Sequence, residues 1–332
     1  MNVLAIIGAG SWGTALACVL APRFREVRLW TFEQDLAARM RETRENDVYL
    51  AGFRLPANVR IETEFCEALA GADVVLSVTP SHVTRAIYGQ MLPYLRPSML
   101  FVSATKGIET KTLLRMSQVI GEVVRPRFTP RVAALSGPTF AREVAAGEPA
   151  ALVISSEDRE LNQAAQAAFS GPTFRLYTNT DPVGVELAAS LKNVIAIGAG
   201  VSNGLGLGNN SVAALVTRGL AEITRLAVAL GGSPRTLAGL AGLGDLVLTC
   251  TGALSRNRQV GIELGRGRSL AEITGSMRMV AEGIQTAYAA LDLAGRTGIE
   301  MPITQQVNAI LRAERSPREA IRGLMERSLK SE

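Results

Sequence analysis

The chain has 332 residues, 47% of them hydrophobic and 20% charged, with a mean hydropathy of +0.19. That supports two globular domains with sizeable cores and excludes disordered, collagen-like, mucin-like and heptad-repeat chains. The net charge of +5 is spread over 35 basic and 30 acidic side chains without a basic block or interleaved aromatics, which argues against nucleic acid and suits a small anionic substrate.

The first 22 residues carry no charged side chain. No basic region precedes that apolar stretch, and Gly8, Gly10 and Gly13 interrupt it, so neither a signal peptide nor a membrane span is expected. Cys18, Cys66 and Cys250 are odd in number and lack CxxC spacing. They argue against a disulfide framework and a zinc site, so no metal is expected, and they fit a reducing cytosol.

In chain order, Asn2 to Ile7 reads as a buried strand, and Gly8-Ala9-Gly10-Ser11-Trp12-Gly13 leads into a helix from Thr14 to Leu20. This GxGxxG lies 20 residues before Glu33, which ends a second strand region, Glu26 to Thr31. That spacing is the dinucleotide fingerprint: glycines admit a pyrophosphate, the helix start offers N–H donors, and an acid follows the second strand. Further strands are predicted at Asp73 to Val78, Met99 to Ala104, Val132 to Leu135 and Ala150 to Ser155, with helix-period stretches between most of them. The alternation predicts an α/β Rossmann domain, doubly wound around a mainly parallel sheet.

Ser103-Ala104-Thr105-Lys106-Gly107 and Ser136-Gly137-Pro138-Thr139-Phe140-Ala141 each end a predicted strand, on the side where such sheets bind ligands. The single His82 reads as a loop residue, which leaves histidine-based catalysis little to work with. After Asp181-Pro182 the β-branched runs give way to Ala/Leu/Gly stretches. The boundary is placed near 180, with an all-α domain after it. Helices are predicted at Val183 to Val201, Ser211 to Leu230, Arg256 to Gly265, Ala281 to Thr297, Ile303 to Ala313 and Pro317 to Ser328.

Only four basic residues are lysines, and Lys192 lies inside the first of these helices. Its helical neighbours Ala188, Ala189, Ala196 and Ala199 are small, which leaves space for something other than protein. Desolvation there would lower the ammonium pKa into the range useful for proton transfer, against the alternative of a lysine that snorkels or pairs with a carboxylate. Asp245, in a predicted turn Gly242-Leu243-Gly244-Asp245, orients Lys192 or a substrate hydroxyl, or forms an Asx turn. Ser255 and Arg256 open a helix, a phosphate-site arrangement that reads equally as a solvated basic helix start.

Together these segments resemble the bacterial-type NAD(P)-dependent glycerol-3-phosphate dehydrogenases. The motifs are GAGSWGTALA (8–17), LPANV (55–59), TPSH (79–82), SATKGIE (103–109), SGPTFAREVA (136–145), then GVELAASLKNVIAI, TRGLAEITRL, GLGDLVLTCT, LSRNR and EGIQT. The resemblance implies reversible NAD(P)H-dependent reduction of dihydroxyacetone phosphate to sn-glycerol 3-phosphate, supplying glycerophospholipid synthesis. It also implies a Rossmann domain over 1–180, an all-helical domain over 181–332, a cytoplasmic homodimer, and no nucleic-acid partner. Ser11, Trp12, Ala141, Val280 and Glu282 are implied cofactor contacts beside Gly8, Gly10 and Gly13. Lys106, Gly137 and Thr139 are implied to border the substrate, Lys106 also reaching the nicotinamide end. Lys192 matches the proton donor and acceptor, and Asp245 its polar partner, also toward substrate. Ser255, Arg256 and Asn257 match the substrate phosphate site, Arg256 with a further approach to the cofactor, and Asn193 and Thr249 are additional substrate contacts.

One departure stands out. Phe32 occupies a position where the family carries an Arg or His on the adenosine end of the cofactor, and Glu33 follows it. Discrimination in favour of NADPH is therefore expected to be weak, unless Arg23, Arg25 or Arg54 folds over the site. Two other readings compete. Another Rossmann-plus-helical reductase, of β-hydroxyacid or ketopantoate type, would lack the Ser-Arg-Asn helix start. A non-catalytic dinucleotide-binding protein would have no use for Lys192 opposite a carboxylate.

Overall fold

Continuous apolar runs such as Val3-Leu4-Ala5-Ile6-Ile7 need cover on both faces, and a parallel sheet flanked by helices gives it to them. The computed structural model describes residues 1–277 and 281–329. Its strands are β1 (Val3–Ile7), β2 (Glu26–Trp30), β3 (Glu45–Asn46), β4 (Leu50–Arg54), β5 (Val59–Glu62), β6 (Val74–Ser77), β7 (Leu100–Ser103), β8 (Arg131–Ser136), β9 (Ala150–Ser155) and β10 (Phe174–Asn179). Eight form one sheet in the order β10-β9-β8-β7-β6-β1-β2-β5, and β3 pairs β4 in a separate hairpin. Neighbours in the main sheet run parallel except β8 and β9.

The chain winds outward from β1 to β2 and β5, then returns to lay β6, β7 and β8 on the other side. The crevice beyond the carboxyl ends of β1 and β6 is thus the topological switch point, where open α/β sheets bind ligands. Three elements were not anticipated. The edge strands β5 and β10 alternate buried and exposed residues instead of forming apolar runs, and the β3–β4 hairpin is short.

From Pro182 onward every regular element among the described residues is a helix. The central helix, Pro182–Gly204, starts with Asp181, whose carboxylate accepts the Gly184 N–H at 2.8 Å. By length and composition this helix could cross a membrane, yet 94% of its most apolar stretch is buried in the protein. It is the core helix around which the others pack. Gly200 and Gly204 let the Arg256–Gly265 helix approach backbone to backbone: a Cβ on Gly200 would stand 2.0 Å from the Arg258 carbonyl oxygen. The predicted helices are found with ends shifted by up to three residues, and Ser255 and Ser316 cap theirs.

The predicted turn at Gly242 to Asp245 is corrected. Leu240–Gly244 is a wide π-helical turn that runs directly into the helix Asp245–Thr251, so Asp245 is a helical residue. Glycines allow the widened turn to pack tightly, since a Cβ on Gly242 would meet the Leu237 carbonyl at 2.0 Å.

A buried carboxylate fastens the far side of this half. Glu222, on the helix Asn209–Ala229, accepts the N–H groups of Ile303 (2.6 Å) and Thr304 (3.2 Å) at the start of the helix Pro302–Leu311. Burial raises its pKa and the hydrogen bonds oppose that rise. Glu222→Ala leaves buried amides unpaired and should lower the unfolding free energy by about 1–3 kcal/mol, measured by urea denaturation. An unchanged midpoint would show that the amides find other partners.

Candidate active site

The glycine turn opens the crevice. Gly8 has φ +115°, a conformation that favours glycine, and a Cβ there would lie 2.7 Å from the Val78 carbonyl. A Cβ on Gly13 would lie 1.8 Å from the Gly8 carbonyl, whereas one on Gly10 would meet nothing. The turn is therefore packed tight from behind and open in front. No side chain caps the helix Ser11–Leu20, and the indole N–H of Trp12 beside it is buried without a partner. A bound pyrophosphate suits both features.

The cleft in front holds about 800 Å³ and runs between the sheet and the helical half. Gly8, Gly10, Ser11, Trp12 and Phe32 line one end; Lys106, Thr139 and Ala141 follow; Lys192, Asn193, Thr249, Ser255, Arg256, Asn257 and Glu282 form the facing wall. Gly13 lies under the helix start, and Gly137 and Asp245 are buried behind the wall. Val280 lies outside the described residues.

At the centre a single carboxylate joins two lysines. Lys192 Nζ donates to Asp245 Oδ1 at 2.5 Å and to Thr249 Oγ1 at 2.8 Å; Lys106 Nζ donates to Asp245 Oδ2 at 2.8 Å and to the Gly137 carbonyl at 3.4 Å. The Thr249 hydroxyl donates to the Asp245 main-chain carbonyl at 2.6 Å, which leaves its lone pairs to accept from Lys192. Desolvation, joined by the repulsion of Lys106, pushes the Lys192 pKa down to about 7, while Asp245 opposes the fall. Burial alone would raise the Asp245 pKa, but the charges of Lys106 and Lys192 hold it below the ordinary carboxylate range.

The alanines around Lys192 do not leave the predicted space. Ala188, Ala196 and Ala199 belong to the helical core, where small side chains admit neighbouring helices. The cleft reaches the ammonium from its far side, and Asp245 meets it from within the protein. Asp245 has no exposed surface, so this structure gives it lysine partners and no direct face toward a substrate.

Further along, Ser255 Oγ caps the Arg256–Gly265 helix by accepting the Arg258 N–H at 3.2 Å. Asn257 Oδ1 accepts the Gly283 N–H at 2.9 Å and so ties this helix to Glu282–Thr297. The Arg256 side chain is exposed at the cleft, where desolvation by the surrounding walls lowers its pKa and Glu282 opposes. Glu282 in turn accepts the Ser81 hydroxyl at 2.8 Å, joining the helical half to the loop after β6.

With this geometry in view, comparison with known proteins decides the family. A family model described as NAD-dependent glycerol-3-phosphate dehydrogenase N-terminus matches residues 3–162, and its C-terminal counterpart matches residues 181–322. The chain belongs to the NAD-dependent glycerol-3-phosphate dehydrogenase family. It is 59% identical to the glycerol-3-phosphate dehydrogenase [NAD(P)+] of Koribacter versatilis over 329 residues, 98% of each chain. The enzyme of the same name from Geobacter sulfurreducens is 51% identical, covering 99% of this chain and 98% of its own. The crystal structure of glycerol-3-phosphate dehydrogenase from Coxiella burnetii superimposes with a TM-score of 0.94 at 39% identity, over 98% of this chain and 99% of that one. The ketopantoate-type and non-catalytic readings are not favoured.

Relative to the family pattern, the structure adds residues that the sequence reading passed over. Tyr49, on the turn of the β3–β4 hairpin, lines the cleft beside Glu33, and Arg142 lines it near Ala141. None of Arg23, Arg25 and Arg54 does so, and Arg23 is occupied with the Ala167 carbonyl at 3.1 Å.

Asp245 raises the Lys192 pKa by direct attraction, so Asp245→Asn should move that pKa further down, by about one unit or more. The pH dependence of Lys192 acylation, followed by peptide mass spectrometry, reads it directly. A pKa that stays near 7 or rises would mean that Asp245 does not govern the ammonium.

Proposed function

We propose that the chain catalyses the reversible NAD(P)H-dependent reduction of dihydroxyacetone phosphate to sn-glycerol 3-phosphate, with residues 1–180 binding the dinucleotide and 181–332 completing the substrate site. The observation that carries this reading is a buried lysine, hydrogen-bonded to Asp245 and Thr249, in a cleft that also presents a glycine turn and a guanidinium at a helix start. Gly8, Gly10, Ser11, Trp12, Phe32, Ala141 and Glu282 would hold the dinucleotide, whose chemistry when bound is to deliver a hydride to the substrate carbonyl carbon.

Lys192 holds the proton that the reaction needs. As the carbonyl oxygen gains alkoxide character, the ammonium stabilises it and gives up its proton, and in the reverse direction the amine removes the proton from the secondary hydroxyl. Asp245 is a positioning residue that keeps Lys192 aimed and balances its charge. Lys106 and Thr139 border the substrate, the Gly137 carbonyl steadies Lys106 from behind, and Asn193 and Thr249 flank the lysine. Arg256, Ser255 and Asn257, with the amides of the helix start, receive the phosphate. The product of this reaction would feed glycerophospholipid synthesis.

We also read the chain as a cytoplasmic homodimer. Cys18, Cys66 and Cys250 are all unpaired, which fits a reducing compartment. The exposed apolar side chains Val228, Leu243 and Val247 on the helical half give a second copy something to cover.

The proton role has a direct test. Reduction requires the ammonium, so its kcat/KM should fall as pH rises through about 7; oxidation requires the amine and should rise over the same range. Lys192→Met should lose about 10²- to 10⁴-fold in kcat while NADH affinity, measured by fluorescence titration, is retained. Near-normal turnover in that variant would remove Lys192 from the mechanism.

The phosphate role is tested separately. Arg256→Ala should cut kcat/KM for dihydroxyacetone phosphate at least about a hundredfold while unphosphorylated dihydroxyacetone, already poor, changes little. Equal losses on both substrates would assign Arg256 to the cofactor instead.

A further inference from the structure

The end of the cleft farthest from Lys192 carries a charge of the wrong sign for a phosphate. Phe32 follows β2 with 81% of its surface exposed, offering an aromatic face and no charge. Beside it, Glu33 is held by two donors: Thr31 Oγ1 to its Oε2 at 2.8 Å, and the Tyr49 hydroxyl to its Oε1 at 2.5 Å. Each carboxylate oxygen so engaged keeps a further lone pair. Tyr49 is itself anchored, because its carbonyl accepts the Ser11 hydroxyl at 2.7 Å. The carboxylate is therefore fixed in relation to the helix start that receives the pyrophosphate.

We propose that Glu33, clamped by Thr31 and Tyr49, accepts the adenosine ribose 2′-hydroxyl and makes this chain select NADH over NADPH. This rests on the dinucleotide-binding reading of the cleft and goes beyond it by assigning the choice between the two cofactors to named side chains. A 2′-hydroxyl can donate to Glu33, whereas a 2′-phosphate is all acceptor and brings negative charge against a carboxylate. The hydrogen bond to Glu33, with burial behind it, pushes the Tyr49 phenol up to about 12, so Tyr49 remains a donor to the carboxylate at neutral pH.

Among the described residues lining the cleft, the cations are Lys106, Arg142, Lys192 and Arg256. Lys106 and Lys192 are committed to Asp245, and Arg256 stands beside them on the facing wall. Arg142 lies over the Phe53 ring at 5.3 Å and donates to the Ala51 carbonyl at 3.3 Å. It is the competing candidate for a phosphate reader.

The test measures dissociation constants for NADH and NADPH by nicotinamide fluorescence on the full chain without substrate, in the wild type, Glu33→Gln, Tyr49→Phe and Arg142→Ala. The expected result is NADH binding at least about tenfold tighter than NADPH in the wild type. Glu33→Gln should narrow that gap about tenfold, and Tyr49→Phe should weaken NADH more than NADPH. Equal or tighter NADPH binding in the wild type would overturn the proposal. A loss confined to NADPH in Arg142→Ala would also overturn it, since Arg142 would then be reading the phosphate. Because no substrate is present, failure to reduce dihydroxyacetone phosphate would count against the proposed reaction and leave this ratio standing.

Discussion

A carboxylate with no exposed surface cannot be left unpaired, and Asp245 meets that constraint by drawing one lysine from each half of the chain. Lys106 comes from the loop after β7 and Lys192 from the central helix, so the ion cluster spans the cleft floor. The two cations overcome the desolvation of the carboxylate, while burial of Lys192 itself, joined by the repulsion of Lys106, lowers its pKa to about 7 against the pull of Asp245. The lysine is thus held between two opposed effects, burial that favours the neutral amine and a carboxylate that favours the ammonium.

Everything around this cluster serves to bring helix backbones close. Gly200 and Gly204 meet Gly261 and Gly265 at distances that leave no room for a Cβ. The Arg256–Gly265 helix is thereby pressed against the central helix, and its first turn is held beside Lys192. Asn257 and Glu282 then knit that turn to the neighbouring helix and to the loop after β6. Hydrogen bonds between elements thus join the cleft wall to its neighbours, beside those that Ser255 and Thr249 make within their own helices.

Much of this was legible in the chain itself. Gly8-x-Gly10-x-x-Gly13 announced the turn, Gly8 and Gly13 because only glycine tolerates their backbone approaches, and Lys192 stood out because a charge amid apolar helical residues demands a partner. Where reading failed, the pattern carried a different meaning. Small residues around Lys192 signalled tight helix packing, since an alanine face looks the same whether a ligand or another helix fills it. The edge strands β5 and β10 escaped notice because each has one solvated face and reads as alternation. Gly242-Leu243-Gly244 reads as a turn by local preference, and only tertiary packing makes it helical. Tyr49 had no local signal, because its importance arises from a hairpin that brings it across to Glu33.

The sheet and the helices also share a small apolar cluster, Ala134 and Val153 from β8 and β9 with Val185 and Ala241 from the helical half. With the Asp245 bridge, it makes the two halves a single unit of inheritance. A recombinant that took residues 1–180 from one parent and the remainder from another would have to match a lysine, a carboxylate and an apolar seam at once. An exchange at the apparent boundary would cut across both the Lys106–Asp245 bridge and this seam, so a new partner half would have to supply a matching face to each.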